Sequence, residues 1–322
     1  MIEYILFVIG IALLIKSADY LVEGSSTLAK KLGVSSIVIG LTIVAFGTSL
    51  PELIVNVLAS LKGSGDIAFG NIIGSSMANT LLILGVVALI TSLKIKKGTT
   101  WKEIPFSFLA VLVLLVFSMA SLLNKSGSDF LSRTDGIILM LFFSIFLYYV
   151  FELTKKDMKA KKSSNEIEIK KHSNFVISLM IFGGVVGLFL GGKWTVEGAV
   201  IIARTFGLSE FLISSTIIAV GTSLPELITS VVAVLKKNVD LGVGNIIGSN
   251  IFNIFWVLGL TAVISPLRFS EFIRIDLIIL LFATSLLFLF MFIGKKHTLE
   301  KWQGVTFLLT YISYITYIII RG

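Results

Sequence analysis

Ten apolar runs alternate with short polar breaks along the chain. A bilayer-spanning helix needs about 20 apolar residues. The runs meet that length at 2–29, 35–61, 66–91, 104–123, 134–152, 174–203, 209–235, 240–265, 274–293 and 302–320. The pattern predicts an all-α polytopic membrane protein of ten transmembrane helices. Two runs are interrupted by the same six residues, Gly47-Thr48-Ser49-Leu50-Pro51-Glu52 and Gly221-Thr222-Ser223-Leu224-Pro225-Glu226. Proline cannot donate to a helical ladder and clashes with the carbonyl four residues back, here that of Gly47 or Gly221. Helices 2 and 7 are therefore predicted to be broken near their middles, at the centre of the molecule.

The hexapeptides belong to a longer repeat. An offset of 174 residues also brings Glu23-Gly24 onto Glu197-Gly198 and Asp66 onto Asp240. The same offset superposes Gly70-Asn71-Ile72-Ile73-Gly74-Ser75 on Gly244-Asn245-Ile246-Ile247-Gly248-Ser249, Asn79 on Asn253 and Gly85 on Gly259. Five spans per half is an odd number, so the second half is expected to enter the membrane from the opposite face. Such an inverted-topology repeat is typical of secondary transporters that bind at the midplane. The predicted organisation is one membrane domain: a first five-helix repeat over 1–152, a polar linker over 153–173, and a second five-helix repeat over 174–322. The linker is too short to fold as a domain of its own.

Composition agrees. The chain of 322 residues is 56% hydrophobic and 14% charged, with a mean hydropathy of +0.99, which excludes an ordinary soluble domain. There is no cysteine, hence no disulfide framework and no thiolate metal site. The net charge of +8 is no sign of nucleic acid, because the basic residues cluster in alternate loops. Eighteen lie after the odd-numbered spans and seven on the other side. The richer side is expected to be cytoplasmic. That places the protein in the cell membrane with both termini outside and 153–173 cytoplasmic. The N-terminus runs into an apolar stretch without a basic region or cleavage signal, so no removed signal peptide is expected.

The candidate chemistry sits at the two breaks. An ionisable side chain at membrane depth is costly and marks a functional site by default, and Glu52 and Glu226 have no Lys or Arg in their own spans. Thr48 and Ser49 lie four and three residues before Glu52, so all three can share one face. Ser75 and Asn79 are four apart in the next span. The second half repeats this with Thr222, Ser223, Glu226, Ser249 and Asn253. Carbonyls freed near Ala45, Gly47, Ala219 and Gly221 add to the set. Hard cations such as Ca²⁺ take six to eight oxygen ligands, two carboxylates balance one Ca²⁺, and no span contains a histidine to suit a softer metal.

Blander roles compete for the other residues. A serine or threonine in a membrane helix usually bonds a carbonyl of its own helix or a neighbouring helix, Gly-rich runs usually serve close packing, and proline is a tolerated kink. Asp66 and Asp240 read as helix N-caps. Lys193 and Glu197 read as an i,i+4 pair, whereas Asp19 and Glu23 have no such partner. His172 and His297 read as solvated loop residues.

Paired Gly-Thr-Ser-Leu-Pro-Glu motifs, each followed by Gly-Asn-Ile-Ile-Gly-Ser and then an Asn, resemble the two alpha-repeats of the cation/Ca²⁺ exchanger superfamily, in particular prokaryotic sodium/calcium exchangers. The resemblance covers the whole ten-span layout. It implies that Glu52 and Glu226 are the central calcium ligands. It also implies sodium sites built from Ala45, Thr48, Ser49, Ser75 and Asn79 with Ala219, Thr222, Ser223, Ser249 and Asn253. Proton-coupled members usually carry a different first motif, of Gly-Asn…Glu type, so the motif here favours sodium. Potassium-dependent members carry Asp where this chain has Asn253. The large regulatory region of animal exchangers would fall at 153–173 and is absent.

The expected function is thus an antiporter, not an enzyme, with no cofactor. Ca²⁺ and Na⁺ are its transported ions and compete for one midplane oxygen cage by alternating access. The resemblance implies that spans 1 and 6 slide across spans 2, 3, 7 and 8. The expected surroundings are the lipid bilayer, with no nucleic acid and no obligatory protein partner. A Ca²⁺/H⁺ antiporter on the same scaffold is the main rival, since buried carboxylates can carry protons. A channel fits duplicated inverted halves less well. An intramembrane hydrolase lacks a histidine inside any span to activate its serines.

The charge bias makes a direct prediction. Ser164→Cys in this cysteine-free chain should react with a membrane-impermeant thiol reagent only when the cytoplasmic face is open. Labelling from outside intact cells would reverse the assigned orientation.

Overall fold

The computed structural model describes residues 2–119, 129–161, 172–207 and 219–321. Among the described residues the helical segments, numbered here by the span each overlaps, follow one another along the chain. They are α1 (Ile2–Leu32), α2 (Ser36–Thr48 and Leu50–Leu61), α3 (Gly65–Ile90), α4 (Lys97–Ser118) and α5 (Arg133–Lys161), then α6 (Asn174–Thr205), α7 (Ala219–Gly221 and Leu224–Leu235), α8 (Val239–Ile264), α9 (Glu271–Phe290) and α10 (Lys301–Arg321). Among the described residues eight helices are long and apolar enough to cross a membrane, or nine with the two parts of α2 taken as one span. The predicted seventh span, 209–235, is described only from Ala219 onward. The molecule is an all-helical, multi-pass membrane protein.

Burial sorts the helices into an inner and an outer set. The apolar windows of α3 and α8 are 78% and 83% buried, against about a third in α1 and α6. The inner helices are therefore enclosed by protein, and the outer ones turn residues such as Val8, Leu179 and Phe182 outward. That exposed apolar surface is what a lipid-facing wall requires. Without a hydrophobic drive between helices in lipid, small residues that let backbones approach do much of the packing. A Cβ on Gly191 of α6 would lie 2.8 Å from the Leu14 nitrogen and 2.9 Å from the Gly10 carbonyl oxygen of α1. In α8, a Cβ on Gly248 would lie 2.8 Å from the Ala45 Cβ and 2.9 Å from the Leu41 Cα.

Two short strand pairs tie the halves together. β1 (Leu93–Lys94), after α3, pairs antiparallel with β4 (Thr298–Leu299), after α9. β2 (Phe130–Leu131), before α5, pairs with β3 (Leu267–Arg268), after α8. The offset of 174 carries β1 onto β3, so each half contributes the same strand to a different pair. The pairs put the ends of α3 and α9 side by side, and the segment after α4 beside the end of α8.

Several local expectations change. Helix α5 does not stop at 152. It continues to Lys161, into the segment assigned to the linker; the linker's centre at 163–165 lies outside the described residues. The added turns have work to do, since Asp157 accepts hydrogen bonds from the Ser35 amide (2.9 Å) and hydroxyl (2.5 Å) at the start of α2. Asp66 and Asp240 are not N-caps but lie within the first turns of α3 and α8. Asn238 caps α8 through its Oδ1, and Asp240 pairs with Lys96 at 2.6 Å. Asp19 and Glu23 do have a partner, from the other half: Lys236 Nζ lies 2.6 Å and 3.8 Å from their carboxylates. Lys193 and Glu197 pair within α6 at 3.9 Å. His297 is half-buried rather than solvated, with Nδ1 3.0 Å from the Thr100 hydroxyl, and His172 lies 4.0 Å from Glu23.

Gly248→Val tests the packing of α8 on α2. Overfilling a tight contact typically costs 1–3 kcal/mol, so the variant should melt at a clearly lower temperature than the parent in detergent. Unchanged melting would mean that the two helices do not approach this closely.

Candidate functional site

Both glutamates occupy the first turn of a half-helix, Leu50–Leu61 in α2 and Leu224–Leu235 in α7, with the proline at the start of each. Proline is tolerated there because its missing N–H would have no helical partner anyway. The preceding serines form the joint, Ser49 at φ −86°, ψ 3° and Ser223 at φ −86°, ψ 1°. At Ser49 the axis of α2 turns by 43°, so the predicted break is a bend. Each half-helix aims its N-terminal N–H groups at the carboxylate of its own first turn, a favourable placement for negative charge.

The helices that face these bends are distorted too. α3 widens into a π-helical stretch at Ala78–Ile83, α8 at Phe252–Leu258 and α2 at Gly40–Val44. Asn79 and Asn253 sit in the first two. Such insertions often mark functional sites, and nothing in residue spacing announces them.

The side chains assemble in repeat-related pairs. Glu52 and Glu226 are fully buried and close enough to repel one another. The Ser75 hydroxyl donates to Glu52 Oε1 (3.3 Å) and that of Ser249 to Glu226 Oε1 (3.4 Å). Each carboxylate is also within reach of a hydroxyl from the opposite half, Glu52 of Thr222 and Glu226 of Thr48 and Ser49. Thr48 further donates to Asn245 Oδ1 at 3.1 Å and lies 3.3 Å from Ser249 Oγ. The Ala45 carbonyl is not freed as expected. It accepts from the Ser49 amide (3.0 Å) and the Thr48 hydroxyl (3.4 Å). Ala219 is the first described residue of α7.

Among the buried side-chain oxygens without a hydrogen-bond partner in the described residues are six that the repeat relates: Glu52 Oε2, Glu226 Oε2, Ser49 Oγ, Ser223 Oγ, Asn79 Oδ1 and Asn253 Oδ1. They form three pairs at the offset of 174. Leaving one buried acceptor unsatisfied costs about 1–3 kcal/mol. Six such oxygens on the helices around the two glutamates are a donor set of the kind a hard cation takes. No cluster of three or more His, Cys, Asp or Glu exists among the described residues, so neutral oxygens must complete such a site. Two bland readings do not apply here. Neither Ser49 nor Ser223 bonds its own helix through its hydroxyl, and no described basic residue pairs with either glutamate.

A supporting layer was not singled out from the sequence. Asn71 Nδ2 donates to the Glu52 carbonyl (3.3 Å) and to Asn56 Oδ1 (2.6 Å); Asn245 Nδ2 donates to the Glu226 carbonyl (3.4 Å) and to Ser230 Oγ (3.0 Å). The signal was available, since both asparagines stand in the repeated Gly-Asn-Ile-Ile-Gly-Ser. Asn56 and Ser230 follow the glutamates by one helical turn.

Two carboxylates and paired neutral oxygens thus lie buried between the helices of a multi-pass bundle, and the class of protein follows from the family to which this chain belongs. The chain belongs to the sodium/calcium exchanger protein family, whose sequence model matches residues 2–152 and 176–320. It is 29% identical to the sodium/calcium exchanger MaX1 of Methanosarcina acetivorans over 98% of this chain and 97% of that one. It is 36% identical to the inner membrane protein YrbG of Escherichia coli K12 over 81% of this chain and 79% of that one. Its fold matches the solved structure of the sodium-calcium exchanger NCX_Mj soaked with Na⁺ and Sr²⁺ at a TM-score of 0.82 and 32% identity, with 98% of each chain covered. The protein is therefore a cation/Ca²⁺ antiporter.

Proposed function

We propose that the protein exchanges Na⁺ for Ca²⁺ by alternating access, with both ions competing for the cage around Glu52 and Glu226. The observation that carries this reading is the set of six unpartnered buried oxygens in three repeat-related pairs. Two carboxylates match the charge of one Ca²⁺. Thr48, Ser49, Ser75 and Asn79 with Thr222, Ser223, Ser249 and Asn253 supply neutral oxygens that also suit Na⁺, as do the carbonyls of Ala45 and Ala219, since a carbonyl keeps a second lone pair. The printed names of MaX1 and NCX_Mj point to the same ion pair.

The architecture in this proposal is ten spans in two inverted repeats, with both termini outside and the linker cytoplasmic. The exchanged strand pairing, β1 with β4 and β2 with β3, supports it. Alternating access is supported by a difference between the two ends of the site. A cleft of 310 Å³ bordered by Pro51, Gly192, Lys193, Val196 and Pro225 reaches Thr222. Toward the other face, α1 is fastened to the α7–α8 turn by Lys236 with Asp19 and Glu23. The repeat sets Asp19 against Lys193, Glu23 against Glu197 and Lys236 against Lys62, so the charge at the Asp19 position is reversed and only Glu197 with Lys62 keeps the opposite signs. In the proposed orientation the cleft opens outward and the ion pair closes the cytoplasmic side.

The counter-ion is tested in proteoliposomes loaded with Na⁺. At clamped pH an outward Na⁺ gradient should drive ⁴⁵Ca²⁺ uptake. Uptake that follows a pH gradient and ignores Na⁺ would establish the Ca²⁺/H⁺ alternative.

The cage itself is tested by Glu52→Gln and Glu226→Gln. Each keeps the shape and one oxygen but removes one of two charges facing the ion, in a site shielded from bulk water. A cost of several kcal/mol follows even with partial screening, and each 1.4 kcal/mol is tenfold in affinity. Calorimetry on purified protein should therefore find Ca²⁺ binding at least about a hundredfold weaker in either variant, with Asn79→Ala and Asn253→Ala less damaged. Binding within threefold of the parent would refute the shared cage.

A further inference from the structure

The two halves differ at one buried position beside the cage. The offset of 174 sets Ser76 in α3 against Asn250 in α8, each directly after one of the cage serines, and both are interior. Asn250 Oδ1 accepts a hydrogen bond from Asn79 Nδ2 at 3.1 Å, and Asn250 Nδ2 donates to Thr80 Oγ1 at 2.9 Å. Asn250 thus grips two successive side chains of the π-helical stretch in α3. Ser76 does not reciprocate. Its hydroxyl has no partner among the described residues, and Asn253 Nδ2 turns instead to Ser75 Oγ at 3.1 Å.

A primary amide has two unlike ends, an oxygen that accepts and an NH₂ that donates. A cation is stabilised by the oxygen and repelled by the hydrogens, so the end that faces the cage decides whether the asparagine is a ligand. For Asn79 the choice is made from behind. With Nδ2 bound to Asn250, the oxygen left over is Oδ1, one of the six unpartnered atoms. Asn250 is held in the matching orientation because its own NH₂ is committed to Thr80. A group held in its binding geometry beforehand has less freedom to lose when the ion arrives.

We propose that Asn250 is a positioning residue of the antiporter, acting through Asn79 to hold its amide oxygen toward the ion. The inference rests on the reading of the cage as the ion site. It makes the two asparagines unequal. Asn79 is oriented by a residue outside the cage. Asn253 is oriented by Ser75, a cage hydroxyl that also serves Glu52.

The experiment is a double-mutant cycle between Asn250→Ser, which installs the residue found at the equivalent position of the first half, and Asn79→Ala. Ca²⁺ affinity is read by calorimetry and folding by thermal melting on all four proteins. Asn250→Ser should weaken Ca²⁺ binding about fivefold or more in the parent and by less than twofold once Asn79 is gone, because residues that act as a unit are not additive. Thr80→Val keeps the volume while removing the group that orients Asn250. It should weaken binding in the same direction, to a smaller extent, and should again be silent beside Asn79→Ala. It serves as the test if Asn250→Ser does not fold. If Asn79→Ala weakens Ca²⁺ binding but Asn250→Ser or Thr80→Val has no effect, or the same effect in both backgrounds, the positioning role is overturned and the cage stands. If Asn79→Ala leaves affinity unchanged, the cage assignment of Asn79 fails instead. A purely structural role would lower the melting temperature in both backgrounds and leave the affinity ratio at one.

Discussion

Two carboxylates buried side by side at the centre of a membrane bundle are the constraint to which the rest of the structure answers. Removing an ion from water costs several kcal/mol even after relaxation, and like charges add to that cost. No described basic residue offsets it. The structure answers with half-helix N-termini beneath Glu52 and Glu226, hydroxyls from Ser75 and Ser249 on one oxygen of each, and reciprocal hydroxyls from the opposite half. The second oxygen of each carboxylate stays unpartnered. In the proposed exchange a bound cation would offset this cost.

The scaffold around the site follows from the same need. The carboxylates on α2 and α7 are enclosed by the helices packed on them, and α3 and α8 are the most buried of the eight described helices long enough to cross a membrane. Close backbone contacts at positions such as Gly248 bring α8 against the distorted part of α2. The outer pair α1 and α6 packs closely against one another through glycine, and Val185 and Val196 of α6 pack on Gly47 and Gly221 beside the bends. Lys236, at the end of α7, joins α1 to the second half through Asp19 and Glu23.

Duplication does not make the site symmetric. The carboxylates, joint serines and amide oxygens keep their pairing, but the layer behind them does not: Asn56 answers to Ser230, and Asn250 to Ser76. A transported ion needs matched ligands around it. The residues that hold those ligands face different neighbours in each half, and can diverge.

Much of this could be read from the chain alone, because its signals are local and repeated. Length and hydropathy determined the helices to within a few residues at most ends; the exceptions were α4, which starts seven residues earlier at Lys97, and α5, whose polar last turns carry no hydropathy signal and are held by Asp157 reaching Ser35. Proline chemistry placed the bends, and a constant offset paired Glu52 with Glu226. Tertiary structure decided what depends on distant partners. The widened turns that present Asn79 and Asn253 arise from packing and have no compositional mark. Lys236 meets Asp19 across more than two hundred residues, so no helical spacing predicts the pair. Which end of the Asn79 amide is engaged is likewise set from the other half, where Asn250 takes its Nδ2.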